Sequence, residues 1–452
     1  MKSRNTDMLN APLLSSIISY TIPLILTSIL QLLFNAADLM VVGNFSSNPN
    51  AVGAVASTNA IINLIVNLFI GLSVGSGVAL SHALGSDDKI AAEKVIHTSL
   101  PVSIVGGLII TVIGVFFSGT FLTWMDTPDD LLAKSTAYMQ IYFLGITFNM
   151  VYNFCSSILR AVGDTKSPLI FLTIAGVINF LLNLYFVLVH GMDVEGVAWA
   201  TTISQGISAV LVVITLMKRD DSCRLNLKKL CVDKRALKKI MAIGIPAGIQ
   251  GSLFSISNVI LQSGINSFNS PDLNTGNGAS SNLEGFVFVA MNSLQLTAMN
   301  FVGQNIGAKR MDRVHKIYRL CLISVFVVGI VLGGTIVLFD KQLLSLYIPK
   351  SPEAIAYASV RLKYMCLPYF VCGMMNVATG VLRGMGSSTP PMVITILGIC
   401  VFRIGWIYSI FQIPQFHTPE ALYISYLVSW VLTFIAQHTA ILLLQRKIKK
   451  TL

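Results

Sequence analysis

The sequence predicts an all-α polytopic membrane protein with twelve transmembrane helices in two pseudo-symmetric six-helix lobes. Three observations lead there. Of its 452 residues, 54% are apolar and only 11% charged, against roughly 25% charged in an ordinary soluble domain. Apolar runs of about twenty residues, each long enough to cross a hydrocarbon core of roughly 30 Å as a helix, recur along the whole chain. The mean hydropathy of +0.74 therefore describes the entire molecule and not one anchor beside a soluble domain. Finally, the chain matches itself when slid by 223 residues. Alternating strands are absent, which excludes a β-barrel.

Taken in order, span one (about 14–42) carries Pro23 in its first turns, where a missing N–H is tolerated, and then Gln31, Asn35 and Asp38. Span two (53–82) runs into HALGSDD and is followed by span three (96–119). Span four (133–157) ends at LRAVGDTKSP, whose Pro168 opens span five (168–190) with Asn179 and Asn183. Span six (196–217) brings Thr201 and Thr202 up to a basic stretch. Span seven (240–266) repeats the early proline as Pro246, and span eight (283–304) opens near Glu284 and ends at QNIGAKR. Spans nine (317–339) and ten (357–380) precede LRGMGSSTPP, and Pro391 opens span eleven (391–412), which contains Arg403. Span twelve (421–445) leads into a basic tail.

An even number of spans puts both termini on one side. The charged segment Met1–Asn10 lacks a small-residue cleavage site, so no removable signal peptide is expected. With the termini inside, twenty-five of the thirty-one Lys and Arg fall in tails or cytoplasmic connections, nine of them between Lys218 and Lys239. Lys134, Lys341, Lys350, Arg361 and Lys363 fall outside or at span ends. That asymmetry orients the chain with cytoplasmic termini. The net charge of +11 is thereby explained, and nucleic acid need not be invoked. The stretch 218–239 is expected to be a cytoplasmic linker touching anionic lipid heads.

The seven cysteines form no CxxC pair and read as small apolar side chains. No Walker loop, dinucleotide fingerprint, HExxH or nucleophile elbow is present. The chain is not expected to be an enzyme or to need a cofactor, and whatever it moves must draw on another energy source.

The internal repeat sets the organisation. At an offset of 223, Ile22-Pro23 falls on Ile245-Pro246, Leu159-Arg160 on Leu382-Arg383, Gly163 on Gly386 and Pro168 on Pro391; Gly85 falls on Gly307 at 222. Six spans per repeat give both halves the same orientation, related by an axis along the membrane normal. The expected division is an N-terminal lobe (1–217), the linker (218–239) and a C-terminal lobe (240–452).

The segments FIGLSVGSGVALSHALG (69–85) and TAMNFVGQNIGAKR (297–310), the two LR…G loops and the IP-initiated first and seventh spans together resemble the multidrug and toxic compound extrusion (MATE) family over essentially the full chain. The likeness is nearer to bacterial exporters of the NorM, MepA and DinF kind than to eukaryotic members. HALGSDDKIAAEK is not the GxxxDxxGRR-like loop of the major facilitator superfamily. The resemblance implies a secondary active antiporter, monomeric, in a bacterial cytoplasmic membrane, exporting amphipathic and often cationic drugs or dyes in exchange for Na+ or H+. A lipid-linked precursor flippase of the same superfamily is the alternative, and would want a cationic cavity.

Of the twenty acids, eighteen lie in tails, loops or span ends; the two within spans are Asp38 and Glu284. A carboxylate at membrane depth is costly unless paired, protonated or hydrated, so it marks a transport or relay site. Asp38 shares a helical face with Asn35 and Gln31, and no Lys or Arg lies in the middle of any span of the first half. Asn179 and Asn183 lie four apart on span five, and Thr201 and Thr202 follow on span six. One carboxylate with amide and hydroxyl oxygens suits a hard monovalent cation. The resemblance sharpens the set to Asp38, Asn179, Asn183 and Thr201 as the cation site, Na+ included, with Asn35 beside it.

The second half has no equivalent acid: Asp38 falls on Leu261, while Asn35 falls on Asn258. It offers instead Glu284, with Asn258, Gln262, Asn292, Gln295 and Arg403, as a substrate or second coupling site. Three readings of Glu284 stand open: a functional carboxylate, an ion pair with Arg403, or exposure at the outer surface. Met150, Tyr152, Phe286, Phe288, Met291, Met374, Met375 and Trp430 could line an adaptable apolar cleft.

Overall fold

The computed structural model describes residues 5–45, 51–349 and 351–451. Lys2, Arg4 and Lys350, used above for orientation, lie outside them. The described residues hold fifteen α-helices and no strand: α1 (Leu13–Phe45), α2 (Ala51–Gly85), α3 (Lys89–Trp124), α4 (Asp129–Val162), α5 (Lys166–Leu184), α6 (Val194–Met217), α7 (Lys234–Asn266), α8 (Pro271–Gly307), α9 (Met311–Leu338), α10 (Asp340–Tyr347), α11 (Pro352–Cys366), α12 (Tyr369–Gly384), α13 (Thr389–Thr395), α14 (Phe402–Tyr408) and α15 (Pro419–Thr451). Among the described residues eleven helices are long and apolar enough to span a membrane, or twelve if α11 and α12, bent by 44° at their junction, form one span. Pro368 sits at that break and has no N–H to continue the ladder. Single π-helical stretches extend α5 (Tyr185–Val189) and join α13 to α14 (Ile396–Val401).

Two compact units form. One comprises the stretch up to Asp7 with Ile22–Gly248; the other comprises Met8–Thr21 with Ile249–Leu452. The boundary thus differs from the one expected at the linker, because α1 and α7 each belong partly to both units, changing over beside Pro23 and Pro246. The cause is local. The 218–239 stretch folds back on the start of α3, where His97 Nε2 accepts the Asn226 N–H at 3.1 Å, Lys229 pairs with Glu93 at 2.8 Å and Lys94 with Asp233 at 3.2 Å. It carries the first turns of α7 with it.

In the first unit α4 is the central helix, packed against α2, α3 and α6. Its apolar window is 61% buried, whereas that of α3 is 28%. In the second unit α8 takes that place against α9, α11 and α12, and its window is 72% buried. The outward faces carry Ile, Leu, Phe and Val, as lipid requires.

The repeat seen in the sequence reappears bond for bond in the turns. After α4, Gly163 N–H donates to the Arg160 carbonyl at 3.0 Å and Asp164 N–H to Leu159 at 2.9 Å. After α12, Gly386 donates to Arg383 at 2.8 Å and Ser387 to Leu382 at 3.0 Å. Both glycines are left-handed, at φ +98° and +82°, which glycine adopts without steric cost. The α2–α3 and α8–α9 turns match likewise: Asp87 and Lys309 have φ of 53° and 58°, and Asp88 N–H to Ala83 (2.9 Å) corresponds to Arg310 N–H to Asn305 (2.8 Å).

Candidate functional site

Helix packing in the first unit brings three distant segments together. Gly176 on α5 lies against the Phe34 ring of α1, so close that a Cβ there would sit 1.9 Å from Phe34 Cε2. One turn along α1 and one to two turns along α5, this approach places Asp38 opposite Asn179 and Asn183. Gly145 on α4 admits Thr202 of α6 in the same way, with a Cβ 2.7 Å from Thr202 Oγ1. Thr202 therefore turns away and donates to the Ile141 carbonyl at 3.1 Å, leaving Thr201 to face Asp38.

Asn183 Nδ2 donates to Asp38 Oδ1 at 2.5 Å, and the Thr201 hydroxyl donates to Asp38 Oδ2 at 3.5 Å. The Asn179 amide has two orientations to choose from, and the neighbours decide between them. With its nitrogen toward Asp38 it donates to Oδ1 at 2.8 Å, and its oxygen accepts the Thr201 N–H at 3.3 Å. With its oxygen there instead, two acceptors face each other, an arrangement that needs a proton or a cation between them. The four residues border or touch a cavity of about 510 Å³ that Gln31, Asn35, Asn149, Asn153 and Gln205 also line. Asp38 is the only carboxylate among its described lining residues, and no Lys, Arg or His lines it. Tyr152 is at this wall too, whereas Met150 is packed in the core.

The second unit departs from expectation at Glu284. It is not at the start of a span, since α8 begins at Pro271, and it is 7% exposed. Its partner is not Arg403. Arg361 Nε donates to Glu284 Oε1 at 2.8 Å and Nη2 to Oε2 at 3.1 Å, a two-point pair buried on both sides. Arg361 Nη1 also binds Asn277, whose Nδ2 donates to Gln262 Oε1 at 2.8 Å. Arg361, placed above at a span end, is 8% exposed. Its position was legible: Ala354, Ala358, Arg361 and Met365 fall at helical spacing, and all four are buried.

Arg403 is fully buried elsewhere, over the Tyr426 ring at 4.0 Å and donating through Nε to Ser429 Oγ at 2.9 Å. Glu284, Arg361, Asn258 and Gln262 line a cavity of about 300 Å³ together with Phe288 and Trp430. Asn292 and Gln295 do not join them: Asn292 is half-buried away from the cavity, and Gln295 packs against Gly380 of α12. Phe286 and Met374 do not line it, and Met291 and Met375 are core residues.

The MatE family model matches residues 23–185 and 246–408, one stretch in each half. A probable multidrug resistance protein YpnP of Bacillus subtilis (strain 168) is 29% identical over 404 residues, covering 88% of each chain. The probable multidrug resistance protein NorM of Thermotoga maritima is 24% identical, covering 86% of this chain and 83% of its own. Among solved structures, a multidrug resistance MATE family transporter of the MOP superfamily in an outward-facing conformation superposes at a TM-score of 0.92, with 20% identity over 100% of both chains, a shared fold. Both halves of the chain thus carry the family's signature as well as its architecture: the protein belongs to the MatE family of multi-pass membrane transporters and is not an enzyme.

Proposed function

We propose that the protein is a secondary active multidrug efflux antiporter that exports amphipathic, often cationic compounds in exchange for Na+ or H+. Relatives named as multidrug resistance proteins support the efflux part. The coupling part rests on one observation: Asp38 stands in a cavity among amide and hydroxyl groups, with no base among its described lining residues. A carboxylate so placed is neutral only when it holds a cation or a proton. Asp38, Asn179, Asn183 and Thr201 form the seat, with Asn35 at its edge. Filling it removes the charge that holds a cationic drug and favours release to the outside.

The chain works as a monomer in the bacterial cytoplasmic membrane, with both termini and the linker cytoplasmic, where its basic residues concentrate. Inward movement of one charge is worth about 2.3 kcal/mol per 100 mV, enough for roughly fifty-fold accumulation before any ion gradient is counted. A lipid-linked precursor flippase is disfavoured by the first unit's cavity, among whose described lining residues there is no base. The test is dye efflux from cells expressing wild type or Asp38→Asn, under imposed Na+ and pH gradients. Gradient-dependent efflux confined to wild type supports the reading; an unimpaired variant removes the coupling site.

A further inference from the structure

The cavity of the first unit has one wall on α2, made by Val55, Asn59, Ile62, Asn63, Val66 and Ile70, which fall three or four apart on one helical face. That wall runs toward the linker-side end of the helix and stops at Ile70. One residue further on, α2 meets α7. Four glycines cross there, Gly71 and Gly75 on α2 with Gly244 and Gly248 on α7. A Cβ added at Gly71 would lie 2.1 Å from the Gly248 nitrogen, and one at Gly75 would lie 2.1 Å from the Ile240 carbonyl oxygen. One at Gly248 would lie 2.1 Å from the Leu68 carbonyl oxygen, and one at Gly244 2.7 Å from the Leu72 Cα. The two backbones therefore touch with no side chain between them, as small residues at helix crossings allow. The chain changes unit directly after this contact: α7 counts with the first unit up to Gly248 and with the second from Ile249.

The internal repeat supplies a comparison. Offsets of 222 and 223 carry Gly75 to Thr297 and Gly244 to Thr21. In the second unit those two threonines meet through their hydroxyls at 2.8 Å, and beside them Tyr20 packs edge-on against Phe301 at 5.4 Å. The fold thus accommodates side chains at this crossing, and the glycines of the first unit are not demanded by the architecture. They confer close approach. Two bare backbones attract by dispersion, which falls away within the first ångström of separation. Parting them breaks no side-chain hydrogen bond, whereas parting Thr21 from Thr297 would break one. Such a contact is either closed or open, with little between.

We infer that the α2–α7 glycine crossing is the inner gate of the first unit's cavity. Closed here, it separates the cavity from the linker side, and it parts when the cavity opens to that side. The inference rests on the antiport reading, which requires a cavity open to one side at a time, and adds the element that opens.

The test is the reactivity of a thiol introduced as Ile70→Cys, since Ile70 is 36% exposed in the cavity wall directly beside the crossing. Cys231→Ser removes the exposed native thiol. A membrane-impermeant maleimide is applied to either face of sealed vesicles holding the full-length protein. The parent should react mainly from the face opposite the linker. Gly75→Ala, which drives a Cβ into the α7 backbone, should raise the linker-side rate roughly tenfold or more without raising the rate from the other face. Gly244→Ala, with the milder clash, should do the same to a smaller extent, and it carries the test if Gly75→Ala does not fold. Gly53→Ala, in the same helix with its nearest neighbour at an ordinary 3.5 Å, should match the parent. Equal gains from both faces would mean merely loosened packing, and unchanged rates in both crossing variants would mean a fixed contact; either result overturns the inference. Adding Asp38→Asn to Gly75→Ala should leave the shift in place, so a failed coupling site and a failed gate give different results.

Discussion

Phe34 of α1 rests on the backbone of Gly176 of α5, and this contact sets the distance between Asp38, one turn further along α1, and Asn183, two turns further along α5. Gly176→Ala would put a Cβ 1.9 Å from the ring and push the helices apart. Overpacking of this kind costs about 1–3 kcal/mol. Ion-driven dye efflux should fall far more than protein abundance, and Phe34→Ala added to Gly176→Ala should restore part of it. Full efflux by the single variant would show that the site tolerates the displacement.

Asn183 donates to Asp38 at 2.5 Å. Asn183→Asp would set a second carboxylate in that place, and two such groups do not both ionise without a cation between them. The dependence of initial efflux rate on Na+ or H+ concentration should steepen, with a Hill coefficient rising from about one toward two. An unchanged slope would mean that position 183 lies outside the exchangeable seat.

The Glu284–Arg361 pair is buried on both sides. Removing one partner of a buried pair typically costs about 3–5 kcal/mol, whereas replacing both by neutral groups is often far milder. Thermal melting in detergent should therefore rank wild type above Glu284→Gln/Arg361→Gln, and that double variant above Arg361→Ala. Equal melting of all three would place the pair in water.

Gly163 and Gly386 occupy equivalent left-handed positions, and at Gly163 a Cβ would also meet the Thr6 carbonyl oxygen at 2.5 Å. Alanine at Gly386 should cost about 1–2 kcal/mol from backbone strain. At Gly163 the clash with Thr6 adds to the same strain, and the substitution should free the Thr6 N–H, which now donates to the Gly163 carbonyl at 3.1 Å. Melting temperatures and hydrogen exchange near Thr6 check both halves of this statement.

Asp233 precedes α7 and accepts the Ala236 N–H at 2.9 Å as a helix cap, with Lys94 beside it at 3.2 Å. The Ala236 hydrogen bond first, then Lys94, hold its carboxyl below the ordinary carboxylate value of 3.8. A depressed acid contributes stability that is present above that ordinary value and lost as pH falls through the lowered one. Amide exchange in the first turn of α7 should accelerate only in strong acid for wild type. In Asp233→Ala it should be faster already at neutral pH.

Much of this was legible in the sequence because the membrane enforces simple rules. Apolar length gave the spans, and the 223-residue offset marked Gly163 and Gly386, whose turns share their hydrogen bonds. Asp38, Asn179, Asn183 and Thr201 meet in space because one face of each helix serves the same cavity. The second half was harder. Arg361 reads as a span end because hydropathy stops where charge begins, and hydropathy does not register that Glu284 offsets the charge 77 residues away. For the same reason hydropathy starts span eight twelve residues late, at 283 and not at Pro271, since Asn274, Asn277 and Ser280 bond to protein groups. Arg403 was visible as a buried base, yet its contact is a tyrosine face, which no charge count anticipates.

The most direct test of the coupling role of Asp38 is transport by purified protein in vesicles, with a cationic dye inside and a defined Na+ or pH gradient imposed. Wild type should drive dye out against its gradient when one of the two ions flows inward, and Asp38→Asn, which mimics the permanently neutral seat, should hold the dye more weakly and respond to neither ion. Gradient-driven transport by Asp38→Asn at the wild-type rate would contradict the assignment of that carboxylate as the ion's seat.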